Sequence, residues 1–182
     1  MEKELAIYVS ASAEMDAECE LLGQLLAEMT KSIRWTIKRT PGPHELANPD
    51  LEALRASQFY LILMGSDITA PIGVELQAAK EAKLFTFAFR KMSVAPSPAG
   101  AYFIHHVDVE WQPYQTPQEF VRLFERALIS QLLEGTPGYG LDVRDLEELA
   151  ERLRALEEAE EGQGGERRRG AGHGGVILPS RE

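Results

Sequence analysis

The chain has 182 residues, one cysteine (Cys19) and a formal net charge of −10. This length suits one domain plus an appendage, since domains typically run about 100–150 residues. A lone cysteine excludes an internal disulfide, and the sequence shows no signal peptide and no apolar run near the roughly 18 residues of a membrane span. We therefore expect a cytoplasmic protein that does not enter a membrane. The negative charge repels a phosphate backbone, so nucleic acid is not an expected partner.

Apolar strands and amphipathic helices alternate along the first 135 residues. The pattern predicts five strands, at 5–9, 33–37, 59–64, 84–89 and 104–111. Helical spacing or capping residues predict helices in the stretch after Ser12, over 50–56 behind an Asn48 cap with Pro49 at the first helical position, over 71–82, and after the Thr116 cap. This order predicts an α/β domain over 1–135 with a doubly wound, mostly parallel, five-stranded flavodoxin-like sheet of order 2-1-3-4-5.

The composition changes after this domain. Residues 136–161 predict an acidic amphipathic helix with an apolar seam formed by Leu146, Leu149, Leu153 and Leu156. Two heptads are too few for a free coiled coil, so the helix must dock on its own domain or on a second copy, and we expect a homo-oligomer. Residues 162–182 predict a flexible Gly/Arg-rich tail. Its apolar end, Val176–Pro179, is typical of a peptide that docks on a protein partner.

Polar residues follow several predicted strands at the edge where such sheets bind ligands. Glu75 begins a helix just beyond the third strand, where it either binds a ligand or merely favours the helix dipole by about 0.3–1 kcal/mol. The other candidate ligand-binding residues in the crevice beside strands one and three are Tyr8, Ser10, Ser12, Asn48, Asp50, Ser66 and Asp67. Arg90 follows the fourth strand, where its charge suits a phosphate.

Two kinds of site are disfavoured by the sequence. The first strand is followed by Ser10-Ala11-Ser12-Ala13-Glu14-Met15-Asp16 instead of a glycine-rich phosphate loop, and its two acids complement the dipole of the helix that follows. A Rossmann dinucleotide site and a P-loop are therefore not expected. Cys19 and the four histidines lack the paired spacing of metal ligands, so no metal site is predicted.

Three segments carry a resemblance to a known group. Residues 6–11, 57–64 and 73–76, the last being Gly73-Val74-Glu75-Leu76 followed by Ala79 and Lys83, resemble the nucleoside 2-deoxyribosyltransferase-like group. They are equally similar to TIR-type NAD-cleaving domains and to bacterial TIR-like domains of unknown function, and the likeness covers roughly residues 4–130. The resemblance implies that Glu75 is a catalytic carboxylate and that Tyr8 lines a sugar pocket. It implies no cofactor, with NAD entering only as a substrate.

Two functions stay open at this point. The first is cleavage of an N-glycosidic bond in a nucleoside or in NAD by Glu75, which the pairing of this residue with Tyr8 favours. The second is a non-catalytic TIR-like signalling or scaffold module that works by self-association and through its tail. The second is favoured by departures from the transferase pattern, because Ser57-Gln58 stands where those enzymes commonly have an acid and 69–72 replaces their acid-and-glycine approach to the glutamate.

Overall fold

The structure is a computed structural model of the chain, and it describes residues 3–29, 32–135 and 138–169. Five parallel strands form one sheet in the order β2-β1-β3-β4-β5. The strands are β1 Lys3–Ser10, β2 Ile33–Arg39, β3 Phe59–Met64, β4 Phe85–Lys91 and β5 Gln112–Tyr114. A 3₁₀ turn at Ala13–Met15 precedes the helices, which are α1 Asp16–Met29, α2 Leu51–Ala56, α3 Ala70–Glu81, α4 Pro98–His106, α5 Pro117–Glu134 and α6 Val143–Arg169. The predicted flavodoxin-like sheet and strand order are confirmed.

The sheet has helices on both faces, which explains its residue pattern. All six residues of β3 are buried, as expected of a central parallel strand covered on both sides. Alternate strand residues point to opposite faces, and they separate two apolar clusters. One cluster packs the sheet against α1 and α5, and the other packs it against α2 and α3. None of the helices in the described residues has the length and apolar character that crossing a bilayer requires.

The prediction of a fifth strand over residues 104–111 is wrong. The first part of that segment completes α4, and the strand lies later, where Phe89 pairs with Gln112. The helix begins early because Ser97 caps it, its hydroxyl accepting a hydrogen bond from Gly100 N at 3.0 Å, and because Pro98 suits the first helical position. Alternation over a few residues could not reveal this, since Pro96, Pro98 and Gly100 beside the cap are residues typical of a loop.

The cap of α2 also differs from the prediction. The helix begins at Leu51, and Asp50 caps it by accepting a hydrogen bond from Ala53 N at 2.9 Å. Asn48 is exposed and lies two residues outside the cap position. Aspartate and asparagine are nearly equal as N-caps, so composition alone did not choose between them.

The acidic helix α6 docks on its own domain. Leu149 is fully buried against α1 and α5, and Leu146, Leu153 and Leu156 pack partly buried beside it. Its first turn is held by Asp145, which forms an ion pair with Lys3 and accepts a hydrogen bond from the Ser32 hydroxyl. The helical backbone continues to Arg169, into the stretch predicted as a flexible tail. Val176–Pro179 lies outside the described residues.

Candidate functional site

Glu75 lies in a buried cluster of hydroxyl groups. The residue is in the second turn of α3, beyond the first turn in which a helix dipole acts, and its exposed fraction is 0%. Its Oε1 accepts a hydrogen bond from the Tyr8 hydroxyl at 2.8 Å. Its Oε2 accepts two more, from Ser10 Oγ at 2.5 Å and from Thr40 Oγ1 at 2.6 Å. The three donors come from the ends of β1 and β2, so the cluster joins α3 to the carboxyl edge of the sheet.

Neutral donors alone hold this carboxylate. In the described part of the chain, no lysine or arginine forms an ion pair with Glu75. Tyr60 extends the cluster by donating to Ser10 Oγ at 2.7 Å. Burial and the nearby Glu75 charge raise the pKa of both Tyr8 and Tyr60, so both phenols stay protonated. A negative charge in such a shell is hydrogen-bonded but not neutralised.

Thr40 is the member of the cluster that sequence reasoning missed. It directly follows β2, its exposed fraction is 2%, and its oxygen also accepts a hydrogen bond from Ala11 N at 3.2 Å. The available signal was its place at the carboxyl end of a strand next to β1, the same argument that selected Ser10. The Pro/Gly composition of the segment that it opens indicated only a loop.

A cavity of about 250 Å³ lies at the rim above this cluster. Its walls come from the segments after β1, β2 and β3, together with the last residue of β2 and the first turn of α3: Ala11, Ser12, Ala13, Arg39, Pro41, Gly42, Pro43, Glu45, Ala47, Thr69 and Pro71. Pro71 stands four residues before Glu75, so the two share one face of α3 at a Cβ separation of about 5–6 Å. Glu75 therefore lies one helical turn below the cavity wall and does not line it.

One hydroxyl in the cavity wall is unsatisfied. Thr69 Oγ1 is buried and makes no hydrogen bond with the described residues. A buried polar group without a partner costs about 1–3 kcal/mol, so natural proteins rarely leave one without a reason. Because this oxygen has almost no accessible surface, a molecule in the cavity could hydrogen-bond to it only after a local shift of the wall.

Ser66 and Asp67 meet Glu14 rather than Glu75. Glu14 Oε1 accepts hydrogen bonds from Ser66 N at 2.9 Å, Ser12 Oγ at 3.2 Å and Asp67 N at 3.3 Å. Its Oε2 accepts a further bond from Ser66 Oγ at 2.7 Å. The Glu14 carboxylate is thus directed across to the turn after β3 instead of its own helix end. The Asp67 carboxylate turns away, with Ser97 Oγ at 2.7 Å, and hydrogen bonds from Ser97 and Ile68 N lower its pKa.

The remaining predicted residues lie apart from the Glu75 cluster. Asn48 is exposed, and Asp50 is half-exposed and serves as the α2 cap, with Lys38 at 3.8 Å. Arg90 lies half-buried at the end of β4, on the same sheet face as Tyr8 by strand alternation. Within the described residues its guanidinium makes neither a hydrogen bond nor an ion pair. The Arg90 guanidinium is therefore available to bind an anion, as the sequence predicted.

A second buried carboxylate lies on the opposite sheet face. Glu18 has an exposed fraction of 0%, pairs with Lys91 Nζ at 2.9 Å and accepts a hydrogen bond from the Tyr114 hydroxyl at 3.1 Å. This pairing ties α1 to the ends of β4 and β5, so Lys91 serves the packing of the domain. Among the described residues, no three His, Cys, Asp or Glu side chains converge as a metal site would require.

Comparison with protein-family models, with curated proteins and with solved structures finds no significant match for this chain. Its function must therefore be argued from the site itself.

Proposed function

We propose that this protein is a TIR-like nucleotide-pocket domain that binds a nucleoside or nucleotide in the rim cavity and cleaves its N-glycosidic bond with Glu75. The observation that carries the proposal is the Tyr8–Glu75 hydrogen bond of 2.8 Å directly below that cavity. It joins the two residues that the resemblance to deoxyribosyltransferases and TIR enzymes selects. The rim cavity lies where doubly wound sheets bind ligands.

The hydroxyl shell suits the chemistry of glycosidic cleavage. As the C1′–N bond breaks, the sugar becomes oxocarbenium-like, and a carboxylate stabilises or traps that positive centre. The base leaves with the bonding electrons, and water then hydrolyses any sugar ester and restores the carboxylate. Because none of the described lysines and arginines pairs with Glu75, no salt bridge competes with its attraction for a positively charged reacting carbon.

The surroundings of Glu75 favour a leaving group that needs no proton. Asp67 is a poor proton donor because its lowered pKa keeps it ionised at neutral pH, and the raised pKa of Tyr8 makes that phenol a poor acid. A pyridinium base, as in NAD, leaves as a neutral ring because the bonding electrons neutralise its nitrogen. An N-glycosylpyridinium substrate therefore fits this site better than an ordinary nucleoside.

Substrate can reach Glu75 only if the segment after β2 moves. Thr40 contacts the buried carboxylate, and it begins a largely exposed loop that runs to Asp50, with Leu46 fully exposed. Such loops are the usual moving parts of ligand sites. Displacement of Thr40 would remove one of the two hydrogen bonds to Oε2 and leave the bond from Ser10.

The complete burial of Glu75 favours a second candidate function. A carboxylate that three hydroxyls enclose also serves as a structural link between α3 and the sheet. In that case the domain binds its ligand without turnover and works as a signalling or scaffold module, with the tail and self-association as its means of contact.

One experiment separates the two candidates. The protein is incubated with NAD and with deoxynucleosides, and free base is measured by liquid chromatography. For the enzyme we expect base release that falls about 100-fold or more in Glu75→Gln and is unchanged in Glu81→Gln, an exposed acid on the same helix. Binding of NAD or nucleoside without release would identify the non-catalytic module. Absence of both binding and release would refute the proposal.

A further inference from the structure

The turn after β3 forms a pocket of hydrogen-bond donors for one anion. Ser66 N and Asp67 N are consecutive backbone donors, the arrangement that cradles anions in many proteins. The hydroxyls of Ser66 and Ser12 add two side-chain donors, and all four meet on the Glu14 carboxylate. We call Ser12, Ser66 and Asp67 N the oxyanion seat.

Close approach to this seat depends on Gly65. A Cβ atom added there would lie 2.5 Å from Glu14 Oε1 and 2.6 Å from its Cδ, far inside van der Waals contact. The nearest atom to that Cβ would be Met15 Cε, so a larger residue at position 65 crowds both the buried Met15 side chain and an anion on the Ser66 and Asp67 amides. The seat is thus shaped around a negatively charged group and not merely bordered by one.

Glu14 is an exchangeable occupant of the seat. The residue is exposed, its four hydrogen bonds come from neutral groups, and it forms no ion pair with any of the described residues. Swinging its side chain into water costs the carboxylate little, since water replaces the lost donors. A ligand anion in the position of the Glu14 carboxylate would accept hydrogen bonds from the same four donors.

The seat adjoins the rim cavity. Ser12 belongs to both, since it lines the cavity and its hydroxyl donates a hydrogen bond to Glu14. A molecule in the cavity therefore reaches the seat with any group that extends past Ser12. The cavity and the seat are therefore neighbouring parts of one rim, and one molecule of nucleotide size could contact both.

We propose that the oxyanion seat binds a phosphoryl group of the ligand and that Glu14 is an internal stand-in which the phosphoryl group displaces. The proposal rests on the proposed nucleotide pocket and narrows its ligand from a nucleoside to a phosphorylated nucleotide. A phosphoryl group presents two or more oxygens with negative charge, as the Glu14 carboxylate does. Removal of Glu14 also removes the charge that repels the ligand.

The test measures binding by calorimetry with three probes, namely inorganic phosphate, AMP and adenosine. Glu14→Ala is compared with wild type and with Glu28→Ala, which removes an exposed acid from the far end of α1 and so changes net charge equally. We expect Glu14→Ala to bind AMP at least about tenfold more tightly than wild type does. Glu28→Ala should bind AMP with the affinity of wild type, and all three proteins should bind adenosine with the same affinity. Ser66→Ala in the Glu14→Ala background should reverse the gain.

The two proposals fail in different ways. The seat would be overturned if wild type, Glu14→Ala and Glu28→Ala all bound AMP with the same affinity and all bound phosphate with the same affinity. This holds even if adenosine binds and base is released. A gain for phosphate without adenosine binding or base release would support the seat and refute the nucleotide pocket. If Glu14→Ala binds AMP more tightly than it binds inorganic phosphate, the phosphoryl group that the seat recognises belongs to a nucleotide. Circular dichroism verifies folding, and Glu14→Gln, which keeps the side-chain size, replaces Glu14→Ala should that variant unfold.

Discussion

Replacement of Leu149 by alanine tests whether α6 is an integral part of the domain. Leu149 is fully buried in the cluster that includes α1 and α5. The change deletes three carbons, which at about 0.8 kcal/mol each amounts to roughly 2.4 kcal/mol of transfer free energy. A cavity term adds to this, so we expect the free energy of unfolding to fall by about 3 kcal/mol, within the range of about 2–5 kcal/mol typical of buried leucines.

Urea denaturation followed by circular dichroism measures this loss. Glu151→Ala on the exposed face of α6 is the matched control, and it should change the unfolding free energy by no more than about 0.5 kcal/mol. The midpoint should not depend on protein concentration, because the leucine is buried within its own chain. A loss below about 1 kcal/mol, or a midpoint that rises with concentration, would refute the docking of α6 on its own domain.

Three further predictions concern other parts of the molecule. Burial alone would raise the pKa of Asp145, but hydrogen bonds from Lys3 and Ser32 lower it to about 2 from a normal 3.8. Wild type should therefore be more stable than Asp145→Asn above about pH 4, and this difference should vanish towards pH 2. A difference in urea midpoints that stays constant with pH would contradict this. Gly65→Ala should cost about 1–3 kcal/mol in thermal unfolding and abolish phosphate binding by the Glu14→Ala protein, because the new methyl group fills the seat. Arg90→Met should change the free energy of unfolding by no more than about 0.5 kcal/mol, since the guanidinium has no partner in the described residues. In calorimetry it should lower the affinity for AMP about tenfold and leave the affinity for adenosine unchanged.

The sheet was predictable because its signals are local and repeated. The six buried residues of β3 form a continuous apolar run, and alternation of strands with helices leaves few topologies beyond the observed one. The fifth strand was not predictable in the same way. It has three residues, Gln112–Tyr114, and only Tyr114 is buried, so neither length nor periodicity distinguishes it from a loop.

The site was predictable in its residue types but not in its grouping. Tyr8, Ser10 and Glu75 were selected as strand-end or helix-start polar residues, and they do meet. The same rule could not separate them from Ser66, which contacts Glu14. The number of residues between a strand end and a polar side chain does not fix the direction of that side chain, because loop conformation decides it. Burial of Glu75 under Thr40 likewise depends on a loop path that composition does not encode.

The clamp between α6 and the start of β1 has a consequence for biosynthesis. Asp145 and Lys3 are 142 residues apart in the chain, and Asp145 also holds Ser32 across 113 residues. During translation the first strand and its neighbour emerge long before the helix that fastens them, and contacts of such long sequence separation form slowly. The start of β1 therefore lacks its ion pair with Asp145 until α6 has been synthesised, and a chaperone would matter most during that interval.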